Sequence, residues 1–208
     1  SRGRDAVQRL GGDAIALVCD LTDPHAAERF VHDATDQLGG CDILVANAGG
    51  PPGGNFASTD LDAYRYALEL NCLSSIAMCR VAIPGMRANG WGRVVAITSI
   101  GAKQPIGGLM ASSVARAAMT SFLKVTAREV ARDGVTVNNL CPGLHATDRL
   151  TGLHAGDGLD ALAAAIPAGK LGDPADFGSV VAFLCSQPAG YVNGTSILVD
   201  GAAYEGLS

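Results

Sequence analysis

Asp42-Ile43-Leu44-Val45-Ala46-Asn47-Ala48-Gly49-Gly50 decides the fold. Its first half is an apolar run of strand length with no alternating polar residues, so the strand is buried on both faces. It stops at an asparagine and a pair of glycines, residues that let a chain turn and come close to a ligand. A strand buried on both faces belongs to a parallel sheet covered by helices. Ligands of such sheets bind at the carboxyl ends of the strands, where Asn47-Ala48-Gly49 lies.

The same alternation extends in both directions. Ala14–Cys19, Arg93–Thr98, Val135–Leu140 and Ser196–Val199 read as further strands. Pro24 to Leu38 reads as a helix, with Ala27, Phe30, Val31 and Ala34 at helical spacing and Gly39-Gly40 ending it. Leu61 to Ala88 carries helical pattern with a break expected at Pro84. Met110 to Arg132 is a long apolar helix, and Asp173-Pro174 opens another that runs to about Cys185. The stretch from Leu144 to Gly169 is rich in Gly, Ala and Leu, with one short helix expected near Leu159–Ala165. This pattern predicts an α/β fold, a doubly wound parallel sheet of Rossmann-like type, as a single domain over residues 1–208.

Composition narrows the function classes. The chain is 48% hydrophobic and 17% charged, which is a folding composition, not a disordered one. Net charge is −5 with scattered Lys and Arg, so no nucleic-acid surface is expected. No uninterrupted apolar run reaches the ~18 residues of a membrane span, and the polar start has no signal-peptide pattern. Six cysteines occur without a C-x-x-C pair, which predicts reduced thiols, no metal site and a cytosolic location.

Several motifs have chemical meaning. Asp20-Leu21-Thr22-Asp23 follows the first strand, where Asp20 or Asp23 could equally cap the next helix. Asn71 sits mid-helix, an unfavourable place for asparagine unless it makes a positioned hydrogen bond or is merely exposed. Ser99 ends a strand, and Pro142-Gly143 is followed by Thr147. Asn193-Gly194 precedes Val199-Asp200-Gly201. In order and spacing, from about Ser1 to Ala203, these motifs resemble the short-chain dehydrogenase/reductase family, especially its bacterial 3-oxoacyl-carrier-protein reductase-like members. The resemblance implies an NAD(P) cofactor and a small-molecule carbonyl or secondary alcohol substrate. It implies Asp20 and Leu21 beside the adenine, and Asn47, Ala48 and Gly49 along the cofactor. It implies Pro142, Gly143 and Thr147 near the nicotinamide, and Asn71 and Ser99 in the catalytic set.

Two departures qualify the resemblance. The family opens with a strand, a glycine-rich turn, a helix and a strand, and this sequence starts after that first βαβ unit, with Ser1-Arg2 resembling the end of its second strand. Arg2 could then face a 2′-phosphate, which puts NADP slightly ahead of NAD, or be an ordinary exposed arginine. Without that unit the Ala14–Cys19 strand has no neighbour. Either about 40 residues precede this sequence, or that strand pairs elsewhere. The second departure is chemical. The family's tyrosine and lysine positions, counted from Ser99, hold Ser112 and Arg116. The i,i+4 spacing survives, but serine is a poor acid and arginine a permanent cation. His145 at the substrate mouth has a suitable pKa for proton transfer, or is a bland surface histidine. Lys103 is a second candidate, or a solvated loop lysine, and Lys103-Gln104-Pro105 resembles a stretch in a subgroup of reductase-like proteins that lacks the standard tetrad. The expected function is an NAD(P)-linked oxidoreductase, and the alternative is a non-redox protein on the same scaffold: a cofactor-free cyclase or lyase, or a binding subunit. The helices from Leu61 and from Met110 are apolar on more than one face, which with the resemblance predicts a homodimer or homotetramer.

Overall fold

Four parallel strands lie side by side in chain order: β1 (Ile43–Asn47), β2 (Gly92–Ile97), β3 (Val135–Pro142) and β4 (Ser196–Val199). The structure, a computed structural model, describes residues 2–153 and 157–207. Val45 pairs with Val95, Val95 with Asn138, and Leu140 with Ile197. Because side chains alternate along a strand, the sheet serves two layers. Leu44, Ala46, Val94, Ala96, Val135 and Val137 face the first layer, with α2 (Pro24–Leu38), α4 (Ser74–Ala88) and α5 (Met110–Val130). Val95, Leu140, Ile197 and Val199 face the second, under α8 (Pro174–Leu184), whose Leu184 is fully buried. This is the Rossmann-like α/β arrangement expected, but β1 is not buried on both faces: Leu44 and Ala46 are covered while Ile43 and Val45 are exposed, because among the described residues no helix packs on that side of it.

The helix ends follow local chemistry. Asp23 Oδ1 accepts from the His25 N–H at 2.9 Å, Pro24 takes the first position and Gly39 ends α2. Asp23, not Asp20, is therefore the cap. Asp20 folds back on the Thr22 N–H and hydroxyl at 2.9 and 2.7 Å, bonds that hold its carboxyl below the usual range. Asp173 caps α8 in the same way at 2.8 Å. Asp60 caps α3 (Leu61–Leu68), its side chain accepting from the Ala63 N–H at 2.8 Å. A π-helical turn, Glu69–Leu73, joins α3 to α4.

Several expectations need correction. Ala14–Cys19 forms no strand: among the described residues it has no pairing partner, and Ile15 and Val18 are exposed. A strand is a property of a pair, so an apolar run with nothing to bond stays an extended loop. Arg2 does not end a strand either, since it begins α1 (Arg2–Leu10), where Ala6, Val7 and Leu10 recur at helical spacing, and Ser1 lies outside the described residues. The Arg2 side chain lies outside them too. Pro84 breaks nothing. It is exposed within α4, so the Arg80 carbonyl that it leaves unbonded lies on the solvent side. The Leu144–Gly169 stretch holds two helices instead of one, α6 (Asp148–Leu153) and α7 (Asp157–Ala164).

The helix from Leu61 to Ala88 is long and apolar enough to cross a membrane, with a mean hydropathy of 1.2, but 61% of its most apolar window is buried inside the protein. Ala67, Leu70, Met78, Ile83 and Met86 of this helix are core residues.

Candidate active site

The carboxyl ends of β1, β2 and β3 deliver Asn47, Ile97 and Pro142 to one cavity of about 380 Å³. Gly143, His145 and Thr147 continue the wall from β3, and Leu144, Leu150, Pro174 and Phe177 make most of it apolar. Parallel sheets bind ligands at this end, where the helices between strands leave a crevice.

Asn71 lies in the π turn, which adds a residue to the helical repeat and re-aims side chains. It is 4% exposed, and its Nδ2 donates to the Gly49 carbonyl at 2.7 Å. Its Oδ1 is buried with no partner among the described residues. A buried acceptor without a donor is costly, so this oxygen marks a place for water or ligand. The bond pins the Asn47-Ala48-Gly49 turn to the helix layer. This is the positioned hydrogen bond; the exposed alternative is excluded.

Ser99 follows β2, and its Oγ accepts from the Gly101 N–H at 3.0 Å. On α5, Arg116 is buried, as its position on the sheet-facing side of an amphipathic helix dictates. Its Nη1 donates to the Thr98 and Ile97 carbonyls at 2.8 and 3.2 Å, and its Nε donates to Ser112 Oγ at 3.2 Å. Burial, and then the charge of nearby Arg149, pull the guanidinium below its ordinary pKa. It remains a cation, because arginine starts so high. Thr98 is fixed in turn by its hydroxyl bond to Asn139 Oδ1 at 2.7 Å, which ties the ends of β2 and β3 together.

His145 stands in the cavity wall. Its Nδ1 lies 3.1 Å from the Gly143 carbonyl, which acts as acceptor, and its ring meets Phe177 edge-on with centroids 5.0 Å apart. Thr147 Oγ1 accepts from the Leu150 N–H at 3.4 Å, at the start of α6. Lys103 is elsewhere occupied, with its Nζ over the Tyr204 ring at 5.3 Å. Asp20 and Leu21 lie outside the cavity wall, and Leu21 packs on the main core.

Thus Asn47, Pro142, Gly143, His145 and Thr147 share the cavity. Asn71 binds the turn that continues from Asn47, and Arg116 ties Ser112 to the β2 end that also feeds Ser99. The sequence reading missed Arg149, whose Nη1 donates to the Gly50 carbonyl at 3.0 Å. The available signal was a lone arginine beside Thr147 in a stretch otherwise short of cations.

Comparison with known proteins agrees with this geometry. Residues 1–202 match the family described as enoyl-(acyl carrier protein) reductase. The 3-oxoacyl-[acyl-carrier-protein] reductase FabG of Vibrio cholerae is 33% identical over 195 residues, 94% of this chain and 80% of that protein. The 7alpha-hydroxysteroid dehydrogenase of Escherichia coli K12 is 31% identical over 204 residues, 98% of this chain and 80% of its own length. Among solved structures, L-sorbose reductase from Gluconobacter frateurii, complexed with NADPH and L-sorbose, superposes with a TM-score of 0.89 at 29% identity, covering 99% of this chain and 82% of that one. YwfH, an NADPH-dependent reductase involved in bacilysin biosynthesis, shares the fold with a TM-score of 0.91 at 24% identity, covering 98% and 83%. With a strand-end crevice, a buried helix asparagine and matched relatives along nearly its whole length, the chain belongs to the short-chain dehydrogenase/reductase family.

Proposed function

We propose that this chain is an NAD(P)-linked oxidoreductase that interconverts a carbonyl group and a secondary alcohol, with Ser99, Ser112 and Arg116 working on the substrate oxygen. One observation carries the reading: the Arg116 Nε–H donates to Ser112 Oγ. Arginine has no acceptor to offer in return, so the Ser112 hydroxyl hydrogen points to another partner. Ser99 is in the same state, its Oγ taken by the Gly101 N–H. In this reading the two hydroxyl hydrogens and the buried cation are the donors for the oxygen that becomes negative as the carbonyl is reduced. Fixed donors stabilise such a charge strongly.

The residues present fit the nicotinamide-riboside half of a dinucleotide: an open Asn47-Ala48-Gly49 turn held by Asn71, with Pro142, Gly143 and Thr147 across the cavity. When bound, the nicotinamide supplies or accepts the hydride. Ser112 passes its proton to the nascent alkoxide and recovers one from water, or from His145 when its ring carries a proton on both nitrogens. NADPH is the proposed donor ahead of NADH, as in the sorbose reductase complex. Six unpaired cysteines support a reducing compartment, the cytosol.

Ser112→Ala is expected to lower kcat for NADPH-dependent ketone reduction by ~10²-fold, the lower end of what a positioned proton donor contributes, with NADPH affinity unchanged. Steady-state rates over a panel of aliphatic, aromatic and steroid ketones measure this. Wild-type protein that binds NADPH and reduces none of them defeats the reading and returns the non-redox alternative.

The proposal includes a homo-oligomer. Ala115, Met119 and Leu123 of α5 turn into the protein's own core, but Leu61, Leu73, Val114 and Val125 of the same helical layer are 44–70% exposed. A second copy covering this face removes that apolar surface from water. Wild type is expected to run as a dimer or tetramer by light scattering, and Val114→Glu with Val125→Glu to shift it to monomer. A monomeric wild type at micromolar concentration contradicts this.

A further inference from the structure

Arg149 reaches from α6 across the cavity mouth to the loop after β1. Its guanidinium lies against Gly50, donating from Nη1 to that residue's carbonyl at 3.0 Å. The contact depends on glycine, because a Cβ at position 50 would stand 2.8 Å from Nη1 and 3.1 Å from both Cζ and Nη2. The next residue back, Gly49, is gripped from the other side by Asn71. The two arms hold one turn of backbone at the edge of the cavity.

The charge balance of this arrangement is one-sided. Arg149 lines the cavity, and buried Arg116 lies behind its wall, with Nη1 on the carbonyl of Ile97, which lines it too. Among the described residues neither has a carboxylate in salt-bridge range, and no acidic side chain lines the cavity. Arg116 spends Nε and Nη1 on protein acceptors, and Nη2 has no partner among the described residues. Arg149 uses only Nη1, on a neutral carbonyl. One cation in the cavity wall and a second behind it, with no carboxylate to balance either, are a standing attraction for an anion. Guanidinium forks match carboxylate and phosphate oxygens.

We infer that Arg149 and Arg116 form an anion site at the cavity mouth, which takes a carboxylate or diphosphate group of the bound ligand. The two sources are a 2-oxo acid substrate, whose apolar body fills the wall of Leu144, Leu150 and Phe177, and the dinucleotide itself. This assigns a ligand chemistry to the proposed oxidoreductase site and rests on that reading, but its test needs no turnover.

The test is calorimetric titration of the chain with phenylglyoxylate, with acetophenone as its neutral analogue, and with inorganic pyrophosphate, at low and high salt. At least one anion is expected to bind ~10-fold or more tightly than acetophenone, the lower end of a charge-assisted bond, and to weaken with salt. Arg149→Gln keeps a donor for the Gly50 carbonyl but removes the charge, and is expected to lose ~10-fold affinity; Arg149→Lys is expected to recover part of it. Loss confined to phenylglyoxylate assigns the site to a substrate carboxylate, loss confined to pyrophosphate assigns it to the diphosphate, and loss of both supports the shared chemistry. Arg149→Gln that binds both anions as wild type does, or wild type that binds neither at millimolar concentration, overturns the inference. Anion binding without any ketone reduction leaves the site standing and removes the proposed activity. Reduction without anion binding does the reverse.

Discussion

Arg116→Ala is expected to abolish most carbonyl reduction, lowering kcat/KM by at least ~10³-fold, because two effects are lost together. The cation nearest the developing alkoxide disappears, and Ser112 loses the N–H that fixes its hydroxyl. The same change leaves the Ile97 and Thr98 carbonyls without their donor at the end of β2. Buried acceptors without partners destabilise a fold, so about 2–4 kcal/mol of stability is expected to go as well. Arg116→Lys separates the two contributions. A lysine ammonium can reach a β2 carbonyl, but it lacks the planar fork that serves carbonyl and serine at once. It is expected to restore stability more fully than activity. Urea denaturation and steady-state kinetics on the three proteins give the comparison. An alanine variant with near-wild-type kcat/KM would remove Arg116 from the chemistry altogether.

The largest effect on folding is expected far from the cavity, at Gly134. This residue stands between α5 and β3 with φ 74°, in the left-handed region that side chains avoid. Its missing Cβ is also a steric requirement, since a methyl there would overlap the Gly90 carbonyl oxygen. Gly134 in turn accepts from the Arg93 guanidinium and the Gly92 N–H, which set the start of β2. Gly134→Ala must therefore move backbone at the root of two central strands, and a loss of about 3–5 kcal/mol is expected. The urea midpoint measures it. The active site lies at the other end of the strands, so kcat below the unfolding range is expected to be unchanged. A stability within 1 kcal/mol of wild type, on the order of an ordinary surface change, would show that the Gly90 turn yields easily.

Sequence legibility followed how local each feature is. Pro24–Leu38 could be read to the residue, since Asp23-Pro24 and Gly39 mark its ends with backbone chemistry of their own. β4 was equally legible from the apolar run Ile197-Leu198-Val199 between turn residues. Ala14–Cys19 has the same kind of composition and forms no strand, because pairing depends on a neighbour that composition cannot supply. The site divides in the same way. Asn71, Ser99, Ser112 and Arg116 were found by spacing, but spacing did not reveal that Arg116 spends its fork on β2 carbonyls. Arg149 was invisible because its place depends on a missing Cβ at Gly50, nearly a hundred residues away in sequence.

The π turn at Glu69–Leu73 gives the site an all-or-none character. A helix advances about 100° per residue, so deleting one residue from the turn would restore a regular helix and re-aim the side chains within the turn by about that angle. Asn71 would leave Gly49, and the catalytic end of the sheet would lose its brace in one step. No graded series of weaker intermediates connects the two registers. Point substitutions around the turn can tune this pocket, but a change in its length removes the bond from Asn71 to the Gly49 carbonyl.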